Sequence, residues 1–216
     1  MCIRDRYGAV PGMPPEQVVH ADLVIVWGNN VTVSNLHLAS MLKQVRKAGG
    51  QVVVIDPRRI KVAEQCDLFL AITPGTDVVL AMAVAAELER RAALDTEFIE
   101  QWTAGYDAYM EQARQYRVAD VEQLCGVSKD QFNRLVEMIV SAHTMAASFG
   151  NGIERGHSGG SGLRAAMALQ ALTGNHGRAG AGVVAKAGLV TPKTTCLLYT
   201  SPSPRDRTRS RMPSSA

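Results

Sequence analysis

Two segments with a continuous apolar stretch, LVIVW in "DLVIVW" (22–27) and VVVI in "QVVVID" (51–56), flank a segment in which Leu36, Leu38, Met41, Leu42 and Val45 recur near helical spacing. A run that is apolar at every position suits a strand buried on both faces, whereas spaced apolar positions suit a helix with one buried stripe. Gly49 and Gly50 supply a C-terminal helix stop. The unit therefore predicts β-α-β, with parallel strands and a right-handed crossover. "LFLAI" (68–72) predicts a third strand. "PGTDVVLAMAVAAELERR" predicts a turn, an N-cap at Thr76 or Asp77, and a nearly all-apolar helix that packs deeply.

From 95 to 142 the pattern stays helical but is more polar, and Ser128 with Gln131 has capping-box spacing. A strand, "TMAASF", follows, then the glycine cluster "GNGIERGHSGG" and a helix ending at Leu172. "TGNHGRAGAGVV" is too glycine-rich for regular structure. There is no internal repeat. The sum is an α/β fold: a doubly wound, mostly parallel, Rossmann-like sheet with a helical insert at about 95–142. Its ligand site belongs beyond the carboxyl ends of the strands.

Composition misleads at both ends of the chain. "MCIRD" can be encoded ATG TGT ATA AGA GAC, and with AG added its reverse complement is CTGTCTCTTATACACAT. Read from the second base and extended by CT, that strand encodes "CLLYTS", residues 196–201. "PSPRD" and "SRMPSSA" resemble translations of the outer part of a transposase-type sequencing adapter, with Arg207, Thr208 and Arg209 filling an index-sized gap. The expectation is that 1–6 and 196–216 are adapter-derived and stand outside the fold, leaving a native segment at 7–195. The competing reading is a natural basic, Ser/Pro-rich disordered tail.

Without those ends, 17 Lys+Arg face 18 Asp+Glu, a formal charge of −1 in place of +3. The apparent basicity disappears, and with it the case for a nucleic-acid or membrane-surface partner. Cys66 and Cys125 remain, with no CxxC and no His at ligand spacing, so both read as small buried residues. No apolar run approaches membrane-spanning length, so no direct membrane insertion is expected of this segment.

Candidate chemistry gathers at the strand ends. Gly28, Asn29 and Asn30 follow the first strand, where glycine permits a tight turn and the two amides can donate and accept. On local evidence alone they read first as ordinary turn residues. Asp56, Pro57 and Arg58 close the second strand, the place where dinucleotide folds keep a carboxylate for ribose or base; Arg58 could meet phosphate bidentately. The alternative is a cap with a solvated basic pair. Gly75, Thr76 and Asp77 offer two acceptor oxygens to adjacent N–H donors on a guanine edge, or a plain N-cap. Gly150, Gly152 and Gly156 have GxGxxxG spacing, one residue off the dinucleotide fingerprint. After Glu154 no acid occurs up to Thr195, while Arg155, Arg164, Arg178, Lys186 and Lys193 do, which suits a diphosphate better than a ribose diol or else marks a charged surface.

In order, "ADLVIVWGNN", "GGQVVVIDPRR", "LAITPGTDVVLAMAVAAEL" and "GNGIERGHSGGSGLRAAMALQALTGNHGRAGAGVV" resemble the molybdopterin oxidoreductase family, the dimethyl sulfoxide reductase-type molybdenum or tungsten enzymes. The resemblance runs from about Ala21 to Val184. It implies an oxidoreductase domain holding part of a bis(molybdopterin guanine dinucleotide) cofactor. Gly28 and Asn30 would meet the pterin or diphosphate side, Asp56 and Arg58 the nucleoside side, and Gly75 and Asp77 the guanosine. The loop Gly150–Gly156 with Arg155, and the turn carrying Thr173, Gly174 and Asn175, would approach the cofactor or a neighbouring domain. Val31 departs from the family's more usual G-x-N-P. The metal ligand, a 4Fe-4S cluster and the domain completing the cradle would lie in sequence outside this segment, which itself offers no metal ligand.

The implied whole enzyme transfers two electrons or an oxygen atom to or from a small-molecule substrate, near the formate dehydrogenase or biotin sulfoxide reductase-like branches. It would work with iron–sulfur electron-transfer and membrane-anchor subunits. Compartment, cytoplasm or periplasm, stays open. Two other readings share the pattern: a non-catalytic relative such as the large iron–sulfur subunit of NADH:quinone oxidoreductase, and an NAD-binding dehydrogenase domain.

Overall fold

A computed structural model of the chain describes residues 12–184; the adapter-like stretches at 1–6 and 196–216, together with Lys186 and Lys193, lie outside the described residues. Five parallel strands form one sheet: β1 (Leu23–Trp27), β2 (Gln51–Ile55), β3 (Leu68–Leu70), β4 (Met145–Phe149) and β5 (Gly182–Val183), in the order β3-β2-β1-β4-β5. β1 pairs in register with β2 on one side, Leu23 opposite Gln51, and with β4 on the other, Leu23 opposite Met145.

All five residues of β1 and of β4 are buried; β1 is apolar throughout, and β4 carries one buried polar side chain, Ser148. Alternation along each strand then assigns the two faces. Val24, Val26, Val52, Val54 and Ala146 pack with Leu38, Leu42 and Val45 of helix α1 (Leu36–Lys47). Leu23, Ile25, Trp27, Val53, Ile55, Met145 and Ala147 pack on the opposite side with α2 (Asp77–Arg90) and with two later helices. The sheet is therefore doubly wound. α1 stops where expected: its C-cap is Ala48, and Gly49 follows in the left-handed region at φ +91°.

Between α2 and β4 lie α3 (Thr96–Trp102), α4 (Tyr106–Ala113) and α5 (Lys129–Ser141), with a one-turn helix at Val118–Asp120 and a π turn at Val121–Cys125. Ser128 and Gln131 form the expected capping box at the start of α5. After β4 come a single helical turn, Asn151–Glu154, and α6 (Gly159–Leu172). Three details differ from expectation. The third strand stops at Leu70, because Thr73 N–H bonds to Cys125 O and the chain turns into the loop before α2. The glycine-rich tail yields a short strand, β5, since Gly182 and Val183 register against Ala146 and Ala147. Cys125 is buried, but Cys66 is only half-buried, its thiol donating to Ala63 O at 3.3 Å. Among the described residues no helix is long and apolar enough to cross a membrane.

Candidate functional site

The connection leaving β1 carries α1 to one face and the connection leaving β4 carries α6 to the other, so the carboxyl ends of β1 and β4 flank a topological switch point. Two of the expected loops meet there. Gly28, at φ +57°, donates its N–H to Ile55 O at 2.8 Å, and the loop after β4 answers with Gly150 N–H to Trp27 O at 2.9 Å and Gly152 N–H to Gly28 O at 3.0 Å. A Cβ on Gly150 would lie 2.1 Å from Gly28 O, and one on Gly28 would lie 2.7 Å from Ile153 N. These glycines thus let two backbones cross at van der Waals limits. The amides of Gly150 and Gly152 are committed to protein carbonyls, while Arg155 and Gly156 are exposed beyond them.

The asparagines beside this crossing divide in role. Asn29 donates from Nδ2 to the buried Ser148 Oγ at 2.8 Å, tying the β1 turn to β4. Asn30 caps the single helical turn Val31–Ser34 through its backbone, and its Oδ1 accepts from Thr32 Oγ1 at 3.0 Å. Both remain half-buried at the edge. At the end of β2, Asp56 accepts the Arg58 N–H at 2.8 Å, an Asx turn that presents Pro57 and Arg58 to solvent. Arg59 lies over the Phe69 ring, 5.5 Å from its centroid.

Asp77 sits at the first position of α2. Thr76 holds the N-cap position without accepting a capping bond, because its hydroxyl donates back to Thr73 O at 2.7 Å. The Asp77 carboxylate is half-buried and takes the indole N–H of Trp27 on Oδ1 at 2.7 Å. Burial raises its pKa, and the bond from Trp27 opposes that rise. Gly75 beside it is exposed at φ +84°, with nothing within 4 Å of where a Cβ would stand. Neither Trp27 nor Ser148 is singled out by the sequence motifs. The only available signal for Trp27 is that a buried indole N–H demands a partner.

Thr173, Gly174 and Asn175 lie elsewhere. α6 is about 20 Å long at the usual helical rise and runs back from the carboxyl edge, so its end reaches the amino ends of the strands. Asn175 is 3% exposed. Its Oδ1 accepts the N–H of Met145, the first residue of β4, at 2.7 Å, and its Nδ2 donates to Thr173 O and Oγ1. A Cβ on Gly174 would fall 2.0 Å from Asp95 Oδ2. The structure therefore brings together Gly28, Asn29, Asn30, Asp56, Pro57, Arg58, Gly75, Thr76, Asp77, Gly150, Gly152, Arg155 and Gly156 along one sheet edge and leaves the Thr173–Asn175 turn at the other.

Among the described residues no three His, Cys, Asp or Glu side chains converge as a metal site. A groove of about 810 Å³ runs along the flank of α1, lined in part by Thr32, Leu36, Lys43, Arg46, Lys47 and Lys61. The polar side chains at the carboxyl edge can serve a nucleotide diphosphate: carboxylates accept from N–H and hydroxyl groups, and exposed guanidinium groups donate to phosphate.

A family model described as "Molybdopterin oxidoreductase" matches residues 5–196. "Probable oxidoreductase YoaE" of Bacillus subtilis is 32% identical over 177 residues, 82% of this chain and 26% of that protein. "Formate dehydrogenase H" of Escherichia coli is 28% identical over 167 residues, 77% of this chain and 23% of that protein. Among solved structures, acetylene hydratase from Pelobacter acetylenicus aligns with a TM-score of 0.64 at 23% identity, covering 74% of this chain and 24% of that chain, a likeness of fold. The chain spans about a quarter of the length of these relatives.

Proposed function

Because this chain belongs to the molybdopterin oxidoreductase family, we propose that its carboxyl edge holds the nucleotide side of a bis(molybdopterin guanine dinucleotide) cofactor in the catalytic subunit of a molybdenum or tungsten enzyme. The observation that carries this reading is Asp77: a half-buried carboxylate fixed through one oxygen by Trp27, at the start of a long buried helix. A carboxylate so held is an acceptor pair matched to the adjacent N1–H and N2–H donors of guanine.

Each residue then has a task. Gly75 leaves open space through which the base reaches Asp77. Thr76 stands between them on the same turn. Asp56, with its turn closed on Arg58 N–H, accepts from the ribose or base. Pro57 carries the chain outward, and the Arg58 guanidinium meets phosphate. Gly28 and Asn30 face the pterin or diphosphate side; Asn29, anchored to Ser148, keeps that turn in place. The Gly150–Gly156 loop locks the β1 turn and offers Arg155 to the same anion. When bound, the cofactor's dithiolene-held metal supplies two-electron or oxygen-atom transfer; the chain supplies grip, orientation and charge compensation. Thr173, Gly174 and Asn175 act on this site only by holding the far end of β4.

Several relatives carry the name formate dehydrogenase, which supports a place near that branch for the whole enzyme. Iron–sulfur clusters, electron-transfer and membrane-anchor partners, and the residue ligating the metal belong to parts of such enzymes beyond the length this chain spans. The test is elemental and nucleotide analysis of the full-length polypeptide expressed with cofactor maturation. The expected result is molybdenum or tungsten with release of guanine nucleotide on acid denaturation. A protein holding neither metal overturns the reading, and tight NAD binding at the Asp56 edge in place of guanine nucleotide assigns the domain to nicotinamide chemistry.

A further inference from the structure

Trp27 ends β1 at the carboxyl edge with 2% of its surface exposed, and its ring lies 6.3 Å, centroid to centroid, from Phe149 at the end of β4, tilted by 45°. An indole has one N–H donor and no acceptor, and burial obliges that donor to find a partner. It finds Asp77 Oδ1 at 2.7 Å, fifty residues along the chain. α6 confines the other side of Asp77: a Cβ on Gly162 would stand 3.2 Å from the Asp77 Cβ. Close packing of α6 limits where the Asp77 side chain stands, and the Trp27 bond at Oδ1 restrains the plane of its carboxylate. A defined plane is what two adjacent donors on a base edge need if both are to bond at once.

Resting on the reading of Asp77 as the guanine acceptor, we infer that Trp27 is a specificity-determining positioning residue, its indole N–H setting the plane of the Asp77 carboxylate for a base that carries both N1–H and an exocyclic amine. Trp27 touches no base itself. Its effect passes through Asp77, which separates it from a residue that only fills the core. Hypoxanthine lacks the exocyclic amine and gains less from a correctly oriented second oxygen, so the ratio of guanine to hypoxanthine affinity measures the positioning.

Calorimetric titration of the complete chain with GDP, IDP and ADP tests this. The wild type binds GDP more tightly than IDP or ADP. Trp27→Phe loses about tenfold on GDP, the scale of one hydrogen bond to a charged group, and less on IDP, so the two affinities converge. In an Asp77→Ala background the same change alters GDP affinity by less than about twofold, because residues acting through one another are not additive. Asp77→Glu displaces the carboxylate by one methylene while leaving the buried ring in place, and it loses the GDP over IDP preference in the same way. Equal losses on GDP and IDP, an undiminished effect of Trp27→Phe in the Asp77→Ala background, or full discrimination by Asp77→Glu each overturn the positioning role. A wild type that binds no guanine nucleotide overturns the assignment of Asp77 itself, and the inference with it.

Discussion

The two edges of the sheet are built from the same vocabulary of glycine, asparagine, threonine and aspartate, yet they bury it differently. At the amino edge, Asn175 is buried with both its amide atoms hydrogen-bonded to protein, Asp22 accepts Thr144 N–H and hydroxyl, and Gly174 packs against the Asp95 carboxylate. At the carboxyl edge, Asp56, Asp77, Asn29 and Asn30 stay half-buried, and Arg58, Gly75 and Arg155 are exposed. Glycine and polar residues in a loop therefore do not by themselves mark a site. Asn175 is buried with both amide atoms bonded, whereas Asp56, Asp77, Asn29 and Asn30 are each bonded to protein through one side-chain atom and stay half open to solvent.

The largest expected effect breaks the crossing that joins the β1 and β4 turns. Gly150→Ala places a Cβ 2.1 Å from a backbone carbonyl that has little freedom to yield. A stability loss of about 3 kcal/mol is expected, read as a fall in chemical-denaturation midpoint. Stability within error of the wild type would show that the two turns are not locked.

Next is the amino edge. Asn175→Ala leaves the buried Met145 N–H without its acceptor and costs about 1–3 kcal/mol, with GDP affinity unchanged. A variant that keeps its stability and loses nucleotide binding would move this turn into the site.

The smallest effect is electrostatic. Burial raises the Asp77 pKa, so the folded chain holds that proton to higher pH than the unfolded chain. The associated stability is fully present below the ordinary aspartate value and is lost as pH rises through the raised folded value. Asp77→Asn removes the titration and keeps an oxygen for Trp27. Its melting temperature should exceed the wild type's slightly at neutral pH, by the equivalent of about 0.5 kcal/mol or less, and the gap should close in acid. A gap that opens in acid would mean that the pKa is lowered instead.

Much of the fold is legible in the chain itself, because its elements are locally consistent. Consecutive apolar positions mark β1 and Val52–Ile55 of β2, Gly49 ends α1, and Ser128 with Gln131 starts α5. β5 is not legible, since a two-residue strand amid glycines exists only through its register with Ala146 and Ala147. The site is legible in part. Local motifs place Asp56 and Asp77 at strand ends, but nothing local pairs Trp27 with Asp77 or Asn29 with Ser148 across 50 and 119 positions. Nor does local pattern distinguish the Gly150 loop from the Gly174 turn. The difference is three-dimensional: α6 carries the chain from one edge of the sheet to the other.

Chemical-shift mapping of GDP on the isotopically labelled chain shows which edge of the sheet meets the nucleotide. Saturable shifts are expected at the amides of Gly28, Asn30, Asp56, Gly75 and Asp77, with Thr173, Gly174 and Asn175 unmoved. Shifts concentrated on the Thr173–Asn175 turn, or the same pattern produced as strongly by NAD as by GDP, would contradict a guanine-nucleotide site at the carboxyl edge.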